Sequence, residues 1–110
     1  GMRDGFVFQN FIFRILNKAL RNSAATLHYW RTTDGAEVDF VIDRTQEVIP
    51  VEVKYADLKT STLSRSFRNF VEKYKPRKAF VVNLSYNGEL KLGDTFVHFV
   101  PYYLLEEMLG

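Results

Sequence analysis

The chain has 110 residues, of which 46% are hydrophobic, and its net charge is +2. This length and hydrophobic content predict one domain over residues 1–110 with a modest core, and they exclude wholesale disorder and a membrane span of roughly 20 apolar residues. The absence of cysteine excludes disulfides, zinc-thiolate sites and thiol catalysis and suits a reducing compartment, so we expect a cytoplasmic protein.

The first predicted element is a helix over residues 6–20. Apolar side chains nearly encircle it, so we expect it to be well buried, with Gln9 as the polar exception in its first turns. Three strands follow in a meander, at residues 27–33, 36–42 and 48–55. Asp34-Gly35 predicts a two-residue hairpin turn between the first two strands.

A second helix is predicted from residue 60 or 61 to residue 74, with Thr60 as its N-cap. The continuous apolar run at residues 78–84 predicts a strand buried on both faces. The helix between this strand and the third one predicts a right-handed crossover, which makes the two strands parallel. Short strands at 89–92 and 95–100 and a helix at 102–108 complete a mixed α/β sheet with helices packed on it.

The second and third strands carry the candidate chemistry. Because side chains alternate along a strand, we expect Glu37 and Asp39 on one face of the second strand and Val38, Phe40 and Ile42 on the other. The hairpin can then bring Asp39, Glu52 and Lys54 onto one surface of the sheet.

Two carboxylates beside an ammonium have two interpretations. They can form a structural ion pair, or they can bind Mg²⁺ or Mn²⁺, since hard cations take one or two carboxylates and keep several waters. The Val53 carbonyl is a further candidate ligand. Lys54 can orient a water or stabilise phosphate charge, which suits metal-assisted phosphodiester hydrolysis.

Asp39 followed by Glu52-Val53-Lys54 resembles the PD-(D/E)xK nuclease-like superfamily, whose core order is αβββαβ. The chain is also similar to the DUF4143 domain in four segments: residues 6–11 (FVFQNF), 29–32 (YWRT), 35–41 (GAEVDFV) and 49–54 (IPVEVK). The resemblance implies a restriction-endonuclease-like core from a prokaryotic protein, at the C-terminal side of an AAA-type P-loop ATPase module. The initial Gly1-Met2 likewise indicates a piece of a longer protein. No phosphate-binding loop motif is present, so we expect no ATPase activity from these residues.

The sequence departs from the family pattern at Gln9, where the family commonly carries a glutamate before Asn-Phe. Gln9 can orient a ligand or a water but brings no charge, so we expect weaker Mg²⁺ binding than with a third acid. Glu37 is a candidate to compensate. The site residues implied are therefore Gln9, Asp39, Glu52 and Lys54, with Asp39, Glu52 and Val53 as metal ligands.

Basic residues gather around the second helix, and Lys59, Arg65, Arg68 and Lys73 are candidates for contacts with DNA phosphates. The alternative is an ordinary solvated helix face. Three functions follow: a metal-dependent nuclease-like domain acting on DNA, with degenerate activity because of Gln9; a non-catalytic module that binds nucleic acid or protein beside an ATPase; and a structural domain that assists oligomerisation.

Overall fold

A computed structural model describes residues 2–109. Gly1, which the sequence analysis took with Met2 as an indication of a longer protein, lies outside the described residues. The helices are α1 (Met2–Ala19), α2 (Arg65–Tyr74) and α3 (Leu105–Leu109), and a 3₁₀ helix (Tyr102–Leu104) precedes α3. The strands are β1 (Thr26–Arg31), β2 (Glu37–Arg44), β3 (Glu47–Val53), β4 (Lys78–Asn83), β5 (Gly88–Leu92) and β6 (Thr95–Pro101).

All six of these strands form one sheet, in the order β1-β2-β3-β4-β6-β5. β2 pairs antiparallel with both β1 and β3, and β3 pairs parallel with β4, as the predicted crossover through α2 requires. The last two strands complete the same sheet, because β6 lies parallel to β4 and carries β5 on its outer edge. The sheet is therefore mixed, and β3 and β4 lie at its centre.

The two faces of the sheet have separate cores. On one face α1 packs with Phe8, Ile12 and Leu16, which recur every four residues and so form a stripe along the helix. On the other face α2 packs with a stripe that includes Phe67 and Phe70. β4 contributes to both cores, as predicted: Phe80 and Val82 belong to the α1 face, and Ala79 and Val81 to the α2 face.

The prediction that α1 is buried on nearly all sides is wrong. Phe6, Val7 and Phe11 are 64%, 57% and 46% exposed, because the sheet covers only the stripe of α1 that faces it. An apolar groove of about 460 Å³ runs beside this exposed side and is lined in part by Phe11, Tyr55 and Tyr102. Within residues 2–109, no helix is long and apolar enough to span a membrane.

Two predicted boundaries are also corrected. The β1–β2 connection spans residues 32–36 and not two residues; its turn includes Gly35, at a φ of 94° that glycine adopts without strain. α2 begins at Arg65 with Ser64 as its N-cap, and not at Thr60. The preceding segment has no regular secondary structure and is tied to the loop after β4, where Ser61 Oγ lies 3.0 Å from Tyr86 Oη.

β2 contains a bulge where Asp39 and Phe40 together oppose the single residue Tyr29 of β1. The bulge interrupts the alternation of faces. Val38 therefore belongs to the core on the α2 face, whereas Phe40 belongs to the core on the α1 face. The predicted common face for Val38, Phe40 and Ile42 is wrong for Val38, and the bulge releases Asp39 from the regular strand pattern.

Candidate functional site

β2 and β3 stop pairing through their backbones just before Asp39. The last paired residues on this side are Phe40 and Val51. Beyond them a side chain, and not the backbone, links the two strands. The Asp39 Oδ2 atom accepts a hydrogen bond of 2.8 Å from the Val53 backbone N–H. Its Oδ1 accepts a second bond of 2.8 Å from Nε2 of Gln9 on α1. Asp39 thus joins two strands and a helix at the point where the hairpin opens.

Glu52 lies on the α2 side of β3 and is only 8% exposed. Its Oε1 accepts a hydrogen bond of 2.8 Å from Ser64 Oγ, and Lys54 Nζ lies 3.7 Å from the same oxygen. Its Oε2 has no hydrogen-bond partner; among residues 2–109 it is the only buried side-chain nitrogen or oxygen of which this is true. Oε1 therefore accepts the Ser64 hydrogen bond and lies beside the Lys54 charge, whereas Oε2 has no partner among the described residues.

Backbone geometry also turns Val53 toward the opening. The Lys54 N–H donates to the Val82 carbonyl on the β4 side, whereas the Val53 N–H donates to Asp39 on the β2 side. Within a strand, the N–H and C=O of one residue point to the same edge. The Val53 carbonyl consequently faces the gap between β2 and β3, where sequence reasoning placed a ligand.

Burial raises the pKa of both carboxyl groups above their usual values. For Asp39 the Val53 hydrogen bond opposes this rise, and the charge of Glu37 adds to it. For Glu52 the opposing influences on the pKa are the Ser64 hydrogen bond and the charge of Lys54, and the charge of Asp39 adds to the rise. Both carboxyl groups therefore lie in surroundings that disfavour their charged forms.

Glu37 does not join this cluster. Its Oε2 lies 3.2 Å from Arg31 Nη1, and both side chains are more than half exposed. Across residues 2–109, no group of three or more His, Cys, Asp or Glu side chains is arranged to hold a metal ion. The described donor set is thus two carboxylates, a backbone carbonyl and the amide of Gln9.

The predicted phosphate-contacting residues are exposed but spread out. Arg65 and Arg68 occupy the first turns of α2, directly after the N-cap Ser64 that contacts Glu52. Lys59 lies in the irregular segment before them. Lys73 lies eight residues beyond Arg65, about 12 Å along the helix, and its Nζ lies 5.3 Å from the centre of the Tyr74 ring. The structure therefore places Arg65 and Arg68 toward the Glu52 end of α2 and Lys73 toward the other end.

Sequence reasoning missed Ser64 as a member of the cluster. The usable signal was its position directly before the buried stripe of α2, where serine is a favoured N-cap. Thr60, four residues earlier, also fits this N-cap rule. The N-cap hydroxyl contacts Glu52 only because the helix is capped by Ser64 and not by Thr60.

The sequence matches the model of a known protein family. The profile of DUF4143, a domain of unknown function, matches residues 4–105. No curated protein matches the sequence. The match includes both strands of the opened hairpin, the helix that carries Gln9 and the helix that Ser64 caps. The chain therefore belongs to the DUF4143 family.

Proposed function

We propose that this chain is a nuclease-like domain that hydrolyses phosphodiester bonds in DNA, with Mg²⁺ or Mn²⁺ held by Asp39 and Glu52. The observation that carries the proposal is the buried Glu52 Oε2, which has no hydrogen-bond partner among residues 2–109. The element order α1-β1-β2-β3-α2-β4 supports a restriction-endonuclease-like core for it.

The energetics of this oxygen favour a cation. A buried acceptor without a partner costs roughly 1–3 kcal/mol, and a second carboxylate nearby adds repulsion. Neither donor near Glu52 relieves this, because Ser64 and Lys54 both lie against Oε1. A hard divalent cation satisfies the free oxygen and both charges together, and oxygen donors are its preferred ligands.

Each residue of the cluster has a role in this function. Asp39, Glu52 and the Val53 carbonyl hold the ion, and Gln9 fixes the orientation of Asp39 through their hydrogen bond. The ion supplies Lewis-acid stabilisation of a phosphoryl group. Lys54, whose side chain is 44% exposed, reaches solvent from the cluster and is placed to orient a water or to stabilise negative charge on the phosphate.

The bound nucleic acid lies along the first turns of α2 in this proposal. Arg65 and Arg68 neutralise backbone phosphates there, Lys59 adds a contact from the preceding segment, and Lys73 makes one at the far end of the helix. An AAA-type ATPase module in the same chain is the proposed partner of the domain.

A second candidate is a non-catalytic binding module attached to that ATPase, and the Gln9–Asp39 bond favours it. The Gln9 amide donates to Asp39 and so satisfies part of the carboxylate without any ion. A glutamate at this position brings a third negative charge instead. The substitution therefore lowers the demand of the site for a cation.

Calorimetric titration with Mn²⁺ separates the two candidates. We expect the wild type to bind with a millimolar or tighter Kd, Glu52→Gln to lose binding at least tenfold, and the control Glu72→Gln, which changes an exposed carboxylate on α2, to bind as the wild type does. If the wild type shows no heat of binding at millimolar Mn²⁺, the metal-dependent function is wrong.

A plasmid-nicking assay with the same proteins then tests the chemistry. Nicking by the wild type that is lost in Lys54→Ala supports hydrolysis at this cluster. Nicking that appears only in Gln9→Glu identifies a site whose activity has decayed. If neither protein nicks DNA in Mn²⁺, the non-catalytic module is the better description.

A further inference from the structure

Ser64 connects the backbone of α2 to the Glu52 carboxylate through one oxygen atom. The Phe67 N–H donates to Ser64 Oγ over 3.2 Å, which makes Ser64 the N-cap of the helix. Ser64 Oγ also lies 2.8 Å from Glu52 Oε1. A backbone N–H can only donate, so the lone pairs of Oγ serve the helix and its single proton is directed to Glu52.

This hydroxyl is better placed than Lys54 to fix the carboxylate. The Lys54 ammonium lies 3.7 Å from Oε1, beyond hydrogen-bond distance, at the end of a flexible and partly exposed side chain. Ser64 has a short side chain, and its backbone is held by the first turn of α2. Within the described part of the chain, Ser64 is the residue that donates a hydrogen bond to Glu52 from a rigid element.

α2 itself is anchored firmly to the sheet. Phe67, Phe70 and Val71 are at most 3% exposed and pack in the core on that face. On the other side of Ser64, the irregular segment is held by the contact between Ser61 and Tyr86. The position of the Ser64 hydroxyl is thus set from both directions along the chain.

We propose that Ser64 is the positioning residue of the Asp39–Glu52 cation site: it occupies Glu52 Oε1 and thereby leaves Oε2 as the ligand atom. This inference rests on the proposed function and deepens it. Ser64 does not touch the ion. It selects the carboxylate rotamer that the ion requires, and such outer partners typically change metal affinity by 10- to 100-fold.

The first test compares Mn²⁺ affinity with thermal stability in three variants. Ser64→Gly removes the hydroxyl but is tolerated at an N-cap, so we expect a Tm only a few degrees lower and a Kd at least tenfold weaker. Ser64→Thr keeps the hydroxyl, so its Kd should lie within about threefold of that of the wild type. The control Ser61→Ala removes a hydroxyl contact from the same segment without touching Glu52, and should lower the Tm with an unchanged Kd.

A second measurement needs no metal. Side-chain scalar couplings of Glu52 in metal-free protein should report one rotamer in the wild type and in Ser64→Thr, and averaging in Ser64→Gly. If the wild type fails to bind Mn²⁺, the proposed function is lost and these couplings alone decide the role of Ser64. Equal couplings in wild type and Ser64→Gly, or equal Kd values where Mn²⁺ binds, overturn the positioning role.

Discussion

The β2–β3 hairpin has two halves that differ in what holds them together. Near its turn, residues 40–44 pair with residues 47–51 through the backbone, and most of their side chains are apolar and enter the two cores. Beyond Phe40 the backbone ladder ends. There the strands are joined through the Asp39 carboxylate, and Glu52 is held by Ser64 from α2.

The closed half stabilises the fold, whereas the open half holds the candidate catalytic groups. The closed half gains free energy from burying apolar surface. The open half buries two carboxyl groups at a cost, which three other parts of the chain offset through Gln9, Ser64 and Lys54. Substitutions in the two halves should therefore change the free energy of unfolding in opposite directions and by different amounts.

The largest effect is expected in the closed half. Ile49 is fully buried opposite Ile42, so Ile49→Ala should lower the free energy of unfolding by about 3 kcal/mol through lost burial and the cavity left behind. Urea denaturation measures this. Val48→Ala, at a half-buried neighbour on the other face, is the matched control and should cost clearly less. A loss below 1 kcal/mol for Ile49→Ala contradicts the assignment of the core.

A smaller effect of opposite sign is expected in the open half. Glu52→Gln should stabilise the metal-free protein by roughly 1 kcal/mol at pH 8, since it removes a charge from a buried site with an unpaired oxygen. Because the folded pKa of Glu52 is raised above its ordinary 4.5, the wild type is at its full stability below that value and loses it as the pH rises through the folded pKa.

The difference between Glu52→Gln and the wild type should accordingly shrink toward zero at pH 4. Urea denaturation in EDTA between pH 4 and pH 8 measures it, with the exposed Glu72→Gln as the control that shows no such trend. A wild type that becomes more stable relative to Glu52→Gln as the pH rises contradicts the raised pKa.

The smallest effect is expected at Glu37. Its ion pair with Arg31 is exposed, so Glu37→Gln should change the free energy of unfolding by no more than about 0.5 kcal/mol. The Mn²⁺ affinity of this variant should equal that of the wild type. A tenfold loss of Mn²⁺ affinity would instead show that Glu37 belongs to the cation site, and the open half would then include Glu37.

Local sequence patterns were sufficient for most of the fold. The crossover that makes β3 and β4 parallel and the burial of β4 on both faces follow from the element order and from one apolar run. The resemblance to DUF4143, which the family match confirms, depends on residues 6–11, 29–32, 35–41 and 49–54, all within the matched region.

What the sequence could not provide was the set of partners of each polar group. A bulge depends on the register between two strands, so the alternation in β2 gave no warning that Val38 and Phe40 enter different cores. Likewise, Thr60 and Ser64 are both of residue types that are favoured at an N-cap. Only the packing of Phe67 and Phe70 against the sheet decides that the helix starts late enough to reach Glu52.

The bulge in β2 also determines which length changes this strand tolerates. Deleting Asp39, the one residue between Val38 and Phe40, removes the bulge but leaves Val38 facing α2 and Phe40 facing α1. The deletion instead removes the carboxylate that joins β2 to Gln9 and to the Val53 N–H. A deletion of one residue in the exposed turn at residues 45–46 has no such consequence for the residues before the bulge. Among relatives of this chain, we therefore expect the spacing from residue 38 to residue 40 to be fixed while the hairpin turn varies in length.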